Sequence, residues 1–150
     1  MLSSIALLFA AAATVFAQPP LRTTIVYDDA YCRGGTSLST TVCSTGENGL
    51  LTRGFTTFNS LPSFPRIAGT FFVEGFNSAN CGACYEITHQ PRNGDPTRSI
   101  FVTAVNSAPQ SAGFVLCTDT LLELTGETRD TVPPNIPVDV RAVPAADCGL

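Results

Sequence analysis

The sequence predicts a small, mainly-β domain, closed or nearly closed into a barrel and stapled by disulfides. Three observations carry this reading. Short segments rich in Val, Ile, Thr and Phe alternate with clusters of Gly, Pro, Asn and Asp, the pattern of many short strands joined by turns. One stretch alone carries helix start and stop signals. Six cysteines, an even count, sit in a chain of 150 residues that has no internal repeat, linker or low-complexity tract to split it into further domains.

Taken in order, the chain opens with an uncharged apolar run from Leu2 to Ala17 that ends in Val15-Phe16-Ala17. This fits a secretory signal, residues 1–17, with small residues at the cleavage site, and leaves a domain over residues 18–150. A membrane anchor is not expected, because the run falls short of the roughly 20 apolar residues of a spanning helix. Pro19 and Pro20 follow it at once. The product is expected to be soluble and extracellular.

Leu21 to Tyr27 reads as a strand ending at Asp28-Asp29. A second short strand is expected to end near Cys43, ahead of the turn residues Ser44, Gly46, Asn48 and Gly49. Leu50 to Phe64 lacks a sustained period and is broken by Pro62, so it reads as irregular with one helical turn. Ile67 to Glu74, Tyr85 to His89 and Ile100 to Val105 read as strands, with Asn93-Gly94-Asp95 turning between the last two. His89 is placed in the surface turn with Pro91 and is given no chemistry. Thr118 to Leu124 is the helix: Thr120 and Glu123 have capping-box spacing, Asp119 suits a first turn, and Gly126 is a C-terminal stop. A final strand follows Pro137, where Val138, Val140 and Ala142 alternate with Asp139 and Arg141.

Composition excludes several functions. Lysine is absent, all eight cations are arginines, and the net charge is −4, with no basic cluster of the kind that neutralises phosphates. Nucleic acid and anionic membranes are therefore not expected as partners. The pair Cys81-x-x-Cys84 has three readings: a redox motif, half of a zinc site, or two structural bridges leaving for different parts of the chain. A zinc site wants a second close pair, and His89 is the single histidine. A redox site wants a strand-helix-strand surround, which is not visible. The cysteines are read as structural bridges, with no metal and no cofactor, although sequence alone leaves fifteen pairings.

One set of motifs runs through the chain in order: Tyr27-Asp28 after the first strand, Cys43-Ser44 with Gly46 and Asn48-Gly49-Leu50, and Leu61-Pro62-x-Phe64-Pro65. The glycine, aromatic and cysteine run from Gly69 through Tyr85 and the terminal Cys148 complete it. In these the chain resembles the cerato-platanin family of small secreted fungal proteins. The resemblance implies a six-stranded double-psi β-barrel with one or two short helices, related to expansins and barwin-like proteins. It also implies two bridges, Cys43 with Cys81 and Cys84 with Cys148. Cys32 and Cys117 lie outside that four-cysteine pattern, and two leftover cysteines in an oxidising compartment suggest a third bridge between them.

The resemblance further implies non-catalytic binding of chitin, N-acetylglucosamine oligomers or related cell-wall polysaccharide, with expansin-like loosening. It implies a location outside the cell or in the fungal wall, a monomer able to self-assemble, and perception by plant surface receptors as a defence elicitor. The implied groove residues are Tyr27, Asp28 and Asn106. Each also has a plainer reading: Tyr27 as a core tyrosine, Asp28 as a turn former, Asn106 as a turn former beside Ser107 and Pro109. Phe76 and Tyr85 stand where the family often carries tryptophan and read as core or rim. Glu74 and Glu86 read as solvated groups on strands. Position 106 corresponds to the catalytic acid of related glycoside hydrolases, and an amide cannot donate a proton as a general acid. The alternatives are a weak glycoside hydrolase or transglycosylase using Asp28 or Glu74, and a surface-active structural wall protein.

Overall fold

The structure, a computed structural model, describes residues 19–92 and 94–150. The expected signal segment, and Asn93 of the expected turn, lie outside the described residues. Six strands close into a barrel: β1 (Leu21–Tyr27), β2 (Ile67–Thr70), β3 (Cys84–His89), β4 (Arg98–Ser107), β5 (Phe114–Leu116) and β6 (Ile136–Val143). They lie in the order β1-β5-β2-β4-β3-β6, and β6 pairs back onto β1. The pairs β1/β5 and β2/β4 are parallel, and the other four are antiparallel. Exchanging β1, β2 and β3 for β4, β5 and β6 maps this pairing pattern onto itself. That is the two-fold relation of two interlocked halves expected of a double-psi barrel.

Alternation drives the closure. In β6, Ile136, Val138 and Val140 point inward while Pro137 and Arg141 face out. Ala142 continues the period but is exposed. Inside, Ile25, Ile67, Ile87, Val102, Phe114 and Leu116 are buried. An aromatic stack caps this core, with Tyr85 5.1 Å from Phe72 and 5.4 Å from Phe114, ring centre to ring centre. Tyr85 is therefore a core residue, and burial pushes its phenol up to about 12. Phe76 is 65% exposed.

One α-helix, α1 (Thr118–Thr125), packs on β1, β3 and β4 and stops at Gly126, which adopts φ 75°. The capping box does not form. Thr120 instead donates to the Pro65 carbonyl at 3.0 Å, and Glu123 pairs with Arg66, since both side chains face the Pro65–Arg66 segment. Three disulfides form: Cys43–Cys81, Cys84–Cys148 and Cys32–Cys117, spanning 38, 64 and 85 residues. In the chain-entropy model, loops of these lengths each contribute roughly 4 to 4.5 kcal/mol. Cys81 and Cys84 thus tie one segment backward and forward, and they are not joined to each other.

Three further expectations need correction, and one strand was missed. The second strand before Cys43 is absent: Leu38–Thr40 is a 3-10 turn capped by the Ser37 hydroxyl, leaving an isolated bridge between Ser37 and Thr57. Hydroxyl side chains there bond locally, as Thr40 and Thr41 do to the carbonyls of Ser37 and Leu38, in place of a ladder. β2 ends at Thr70, where the Val73 amide turns back onto the Thr70 carbonyl at 3.1 Å, so Glu74 lies beyond the strand. His89 closes β3 opposite Arg98 and is not in the turn, because the antiparallel ladder with β4 runs on to that pair. β5 is too short, at three residues, to show a period, and the sequence reading missed it. The irregular stretch from 50 to 64 does hold one short helical turn, Phe58–Ser60.

Candidate functional site

The site is built where β1 and β4 end. Asp28 follows β1 and caps the 3-10 turn Asp29–Cys32, its carboxylate accepting from the Ala30 amide at 2.8 Å. That turn swings Tyr31 inward, where its ring lies parallel to Phe58 at 6.0 Å. From the other side comes Asn106. Along the β2/β4 pair, Ala68 faces Ala104 but Gly69 faces Asn106, so Val105 is the extra residue of a bulge. Bulges re-aim the side chains that follow them. Asn106 is half-buried and accepts from the Val42 amide at 3.1 Å, which fixes the loop carrying Thr40 and Thr41.

Together Asp28, Tyr31, Thr40, Thr41, Phe58 and Asn106, with Arg33, line an open cleft of about 300 Å³. Burial pushes the Tyr31 phenol above its ordinary range, Asn106 opposes that shift as a hydrogen-bond partner, and the charge of Asp28 adds to it. The hydroxyl has room only because residue 69 is glycine, since a Cβ there would sit 2.3 Å from the Tyr31 oxygen. Beside the cleft, hydrogen bonding from Thr118 and Arg129 holds the Asp29 carboxyl below its usual range.

Of the three expected groove residues, Asp28 and Asn106 meet in this cleft. Tyr27 is 39% exposed at the end of β1, paired with Leu116, and does not line it; it is not a core tyrosine either. Tyr31, Phe58 and the threonines were missed. The signal for Tyr31 was present in Asp28, whose capping side chain starts the turn that buries the tyrosine. Glu74 is exposed and outside the cleft, and half-buried Glu86 pairs with Arg141 on the far barrel wall. The cleft therefore brings one carboxylate, Asp28, against the amide at 106.

A larger open cleft of about 500 Å³ lies elsewhere, between Pro62–Arg66 and the C-terminal turn, with Glu123 and Asp147 on its rim. Glu123 there is taken up by Arg66. Cys32, Cys117 and Asp119 place ligand atoms within 4.8 Å of one another, but the two sulfurs are joined and cannot act as thiolate ligands. Among the described residues, this is the one grouping of that kind.

A disulfide-tied six-stranded barrel with a shallow cleft of aromatic rings, hydroxyls and amides belongs with the small double-psi barrel proteins. The family itself follows from comparison with known proteins. The family model described as Cerato-platanin matches residues 23–150, and the chain belongs to the cerato-platanin family. It is similar to the "Heat-stable 19 kDa antigen" of Coccidioides immitis, 35% identical over 150 aligned positions that cover 96% of this chain and 97% of that relative. It is 31% identical to "Cerato-platanin" of Ceratocystis fimbriata f. sp. platani over 70% of this chain and 72% of that protein. The "Allergen Asp f 15 homolog" of Arthroderma benhamiae is 52% identical over 82 residues, a match that spans 55% of this chain and only 38% of that relative. Among solved structures, cerato-platanin 2 from M. perniciosa superposes with a TM-score of 0.78 at 36% identity, covering 86% of this chain and 99% of that one.

Proposed function

We propose that this is a secreted, wall-associated protein whose cleft at Asp28, Tyr31 and Asn106 binds N-acetylglucosamine oligomers or a related polysaccharide without cleaving it. The pairing of one carboxylate with an amide across a cleft floored by aromatic rings carries this reading. Sugar hydroxyls and acetamides are read by fixed donors and acceptors over an apolar floor. Tyr31 and Phe58, both buried, form that floor, and Asp28, Asn106, Thr40 and Thr41 supply the polar groups. Hydrolysis requires two carboxyl groups at a set separation across the bond. Here Asp28 is occupied in capping its turn, and position 106 is an amide already bonded to Val42.

A place at the fungal surface, self-assembly at interfaces and recognition by plant surface receptors belong to the same proposal. Titration calorimetry with chitin oligomers, alongside a reducing-end assay on long incubation, tests it. Binding is expected with no release of reducing ends. Turnover that disappears on replacing Asp28 or Glu74 by the amide would put the hydrolase reading first.

A further inference from the structure

We propose that the Cys32–Cys117 bridge is a thiol-exchange site, opened by an external thiol at Cys32, and that opening it frees the cleft wall bearing Tyr31 while the barrel stays closed. Cys43, Cys81, Cys84, Cys117 and Cys148 are all buried, at 5% exposure or less, whereas Cys32 is half-buried. An attacking thiolate therefore reaches this bridge first, and on the Cys32 sulfur.

The chemistry favours the same direction. Attack at Cys32 breaks the bridge, forms a mixed disulfide on Cys32 and expels Cys117 as the thiolate. Cys117 is the N-cap of α1, where no side chain caps the first-turn amides, so those N–H groups stabilise the leaving anion against the nearby Asp119 carboxylate until it takes up a proton. A second external thiolate then attacks the mixed disulfide and leaves Cys32 as a free thiol, 3.5 Å from an Asp29 carboxylate oxygen able to accept its S–H hydrogen. In sum, one protein disulfide and two external thiols give two protein thiols and one external disulfide.

Opening the bridge acts on the cleft because Cys32 ends the turn that holds Tyr31. The ties of that turn to β5 and α1 that remain include the Asp28 amide on the Leu116 carbonyl at 2.9 Å, hydrogen bonding of Asp29 with Thr118, and Arg129, which bridges Asp29 at 3.3 Å and Asp119 at 2.9 Å. The Arg129 pairs are exposed and screened by salt, so they hold the turn weakly. The barrel keeps its closed ladder and the two buried bridges.

The consequence for affinity rests on the binding reading above, whereas the exchange itself is measured without any glycan. The oxidised protein is treated at neutral pH with cysteamine, dithiothreitol or mercaptoethanesulfonate, and released thiols are alkylated and mapped. Label is expected on Cys32 and Cys117 ahead of the other four. Hydrogen exchange is expected to rise in residues 29–33 but not in the strands, and chitin-oligomer affinity to fall about tenfold, the cost of re-ordering one large side chain and its turn on binding. The variant Cys32→Ser with Cys117→Ser should reproduce the opened form. Partial reduction of the native protein supplies the same state if that variant does not fold. Label at Cys43 or Cys84 first, global unfolding when this bridge opens, or unchanged exchange at 29–33 would overturn the proposal. A native protein that binds no oligomer refutes the binding reading alone, since labelling and hydrogen exchange still decide the exchange site.

Discussion

Replacing Gly69 by alanine is the sharpest probe of how the cleft is built. The added methyl would lie 2.3 Å from the Tyr31 hydroxyl oxygen and 3.2 Å from the Ser107 carbonyl. The tyrosine has little freedom to retreat, because it is buried and its ring lies against Phe58. Overpacking of this kind costs roughly 1–3 kcal/mol, and losing the polar contact between Tyr31 and Asn106 adds about 1 kcal/mol. Alanine returns roughly 0.5–1 kcal/mol through the smaller chain entropy it gives up in a strand. The net loss is then roughly 1–3 kcal/mol, which for a domain of this size lowers the melting temperature by about 4–12 °C. Urea or thermal unfolding measures it directly. Tyr31→Phe removes the colliding oxygen, so the double variant should be less destabilised than the sum of the two single changes. A neutral Gly69→Ala, or strict additivity with Tyr31→Phe, would refute this packing argument.

Two further outcomes follow from the geometry. Burial depresses the His89 pKa below 6.5, with Arg98 and Arg22 adding to the shift and Glu127 opposing it. The unfolded chain therefore takes up a proton first, and stability declines as pH falls from about 6.5 toward the folded-state value; His89→Gln should flatten that limb in urea unfolding between about pH 7 and 5, and parallel curves would contradict it. Asn106→Asp should fold, since a carboxylate can still accept from the Val42 amide and the Tyr31 hydroxyl can rotate to donate. It should bind oligomer and release no reducing ends, because the cleft holds no second free carboxylate. Efficient hydrolysis by this variant would show that the amide at 106 was the sole obstacle.

Features with a strong local signal were legible in the sequence. β1 and the helix stop at Gly126 follow from residue types whose preference the tertiary structure does not override. All three bridges fall where the cysteine pattern and the family resemblance put them. What failed were segments decided by their neighbours. Thr40-Thr41-Val42 has strand propensity, yet its amides and hydroxyls are claimed by Ser37, Leu38 and Asn106. Phe71-Phe72-Val73 reads as a strand, yet it turns away at Thr70 to cover the aromatic core. In the cleft, Asp28 and Asn106 were visible through the family resemblance, Asp28 just after β1 and Asn106 near the end of β4. Tyr31 and Phe58 were not, because only the three-dimensional approach of two 3-10 turns brings them together.

An NMR titration of isotope-labelled protein with a chitin oligomer tests the proposed cleft most directly. Shifts are expected at Asp28, Tyr31, Thr40, Thr41 and the side-chain amide of Asn106, with the oligomer recovered intact. Shifts confined to the opposite cleft around Phe64, Arg66 and Gly149, or none at saturating oligomer, would contradict it.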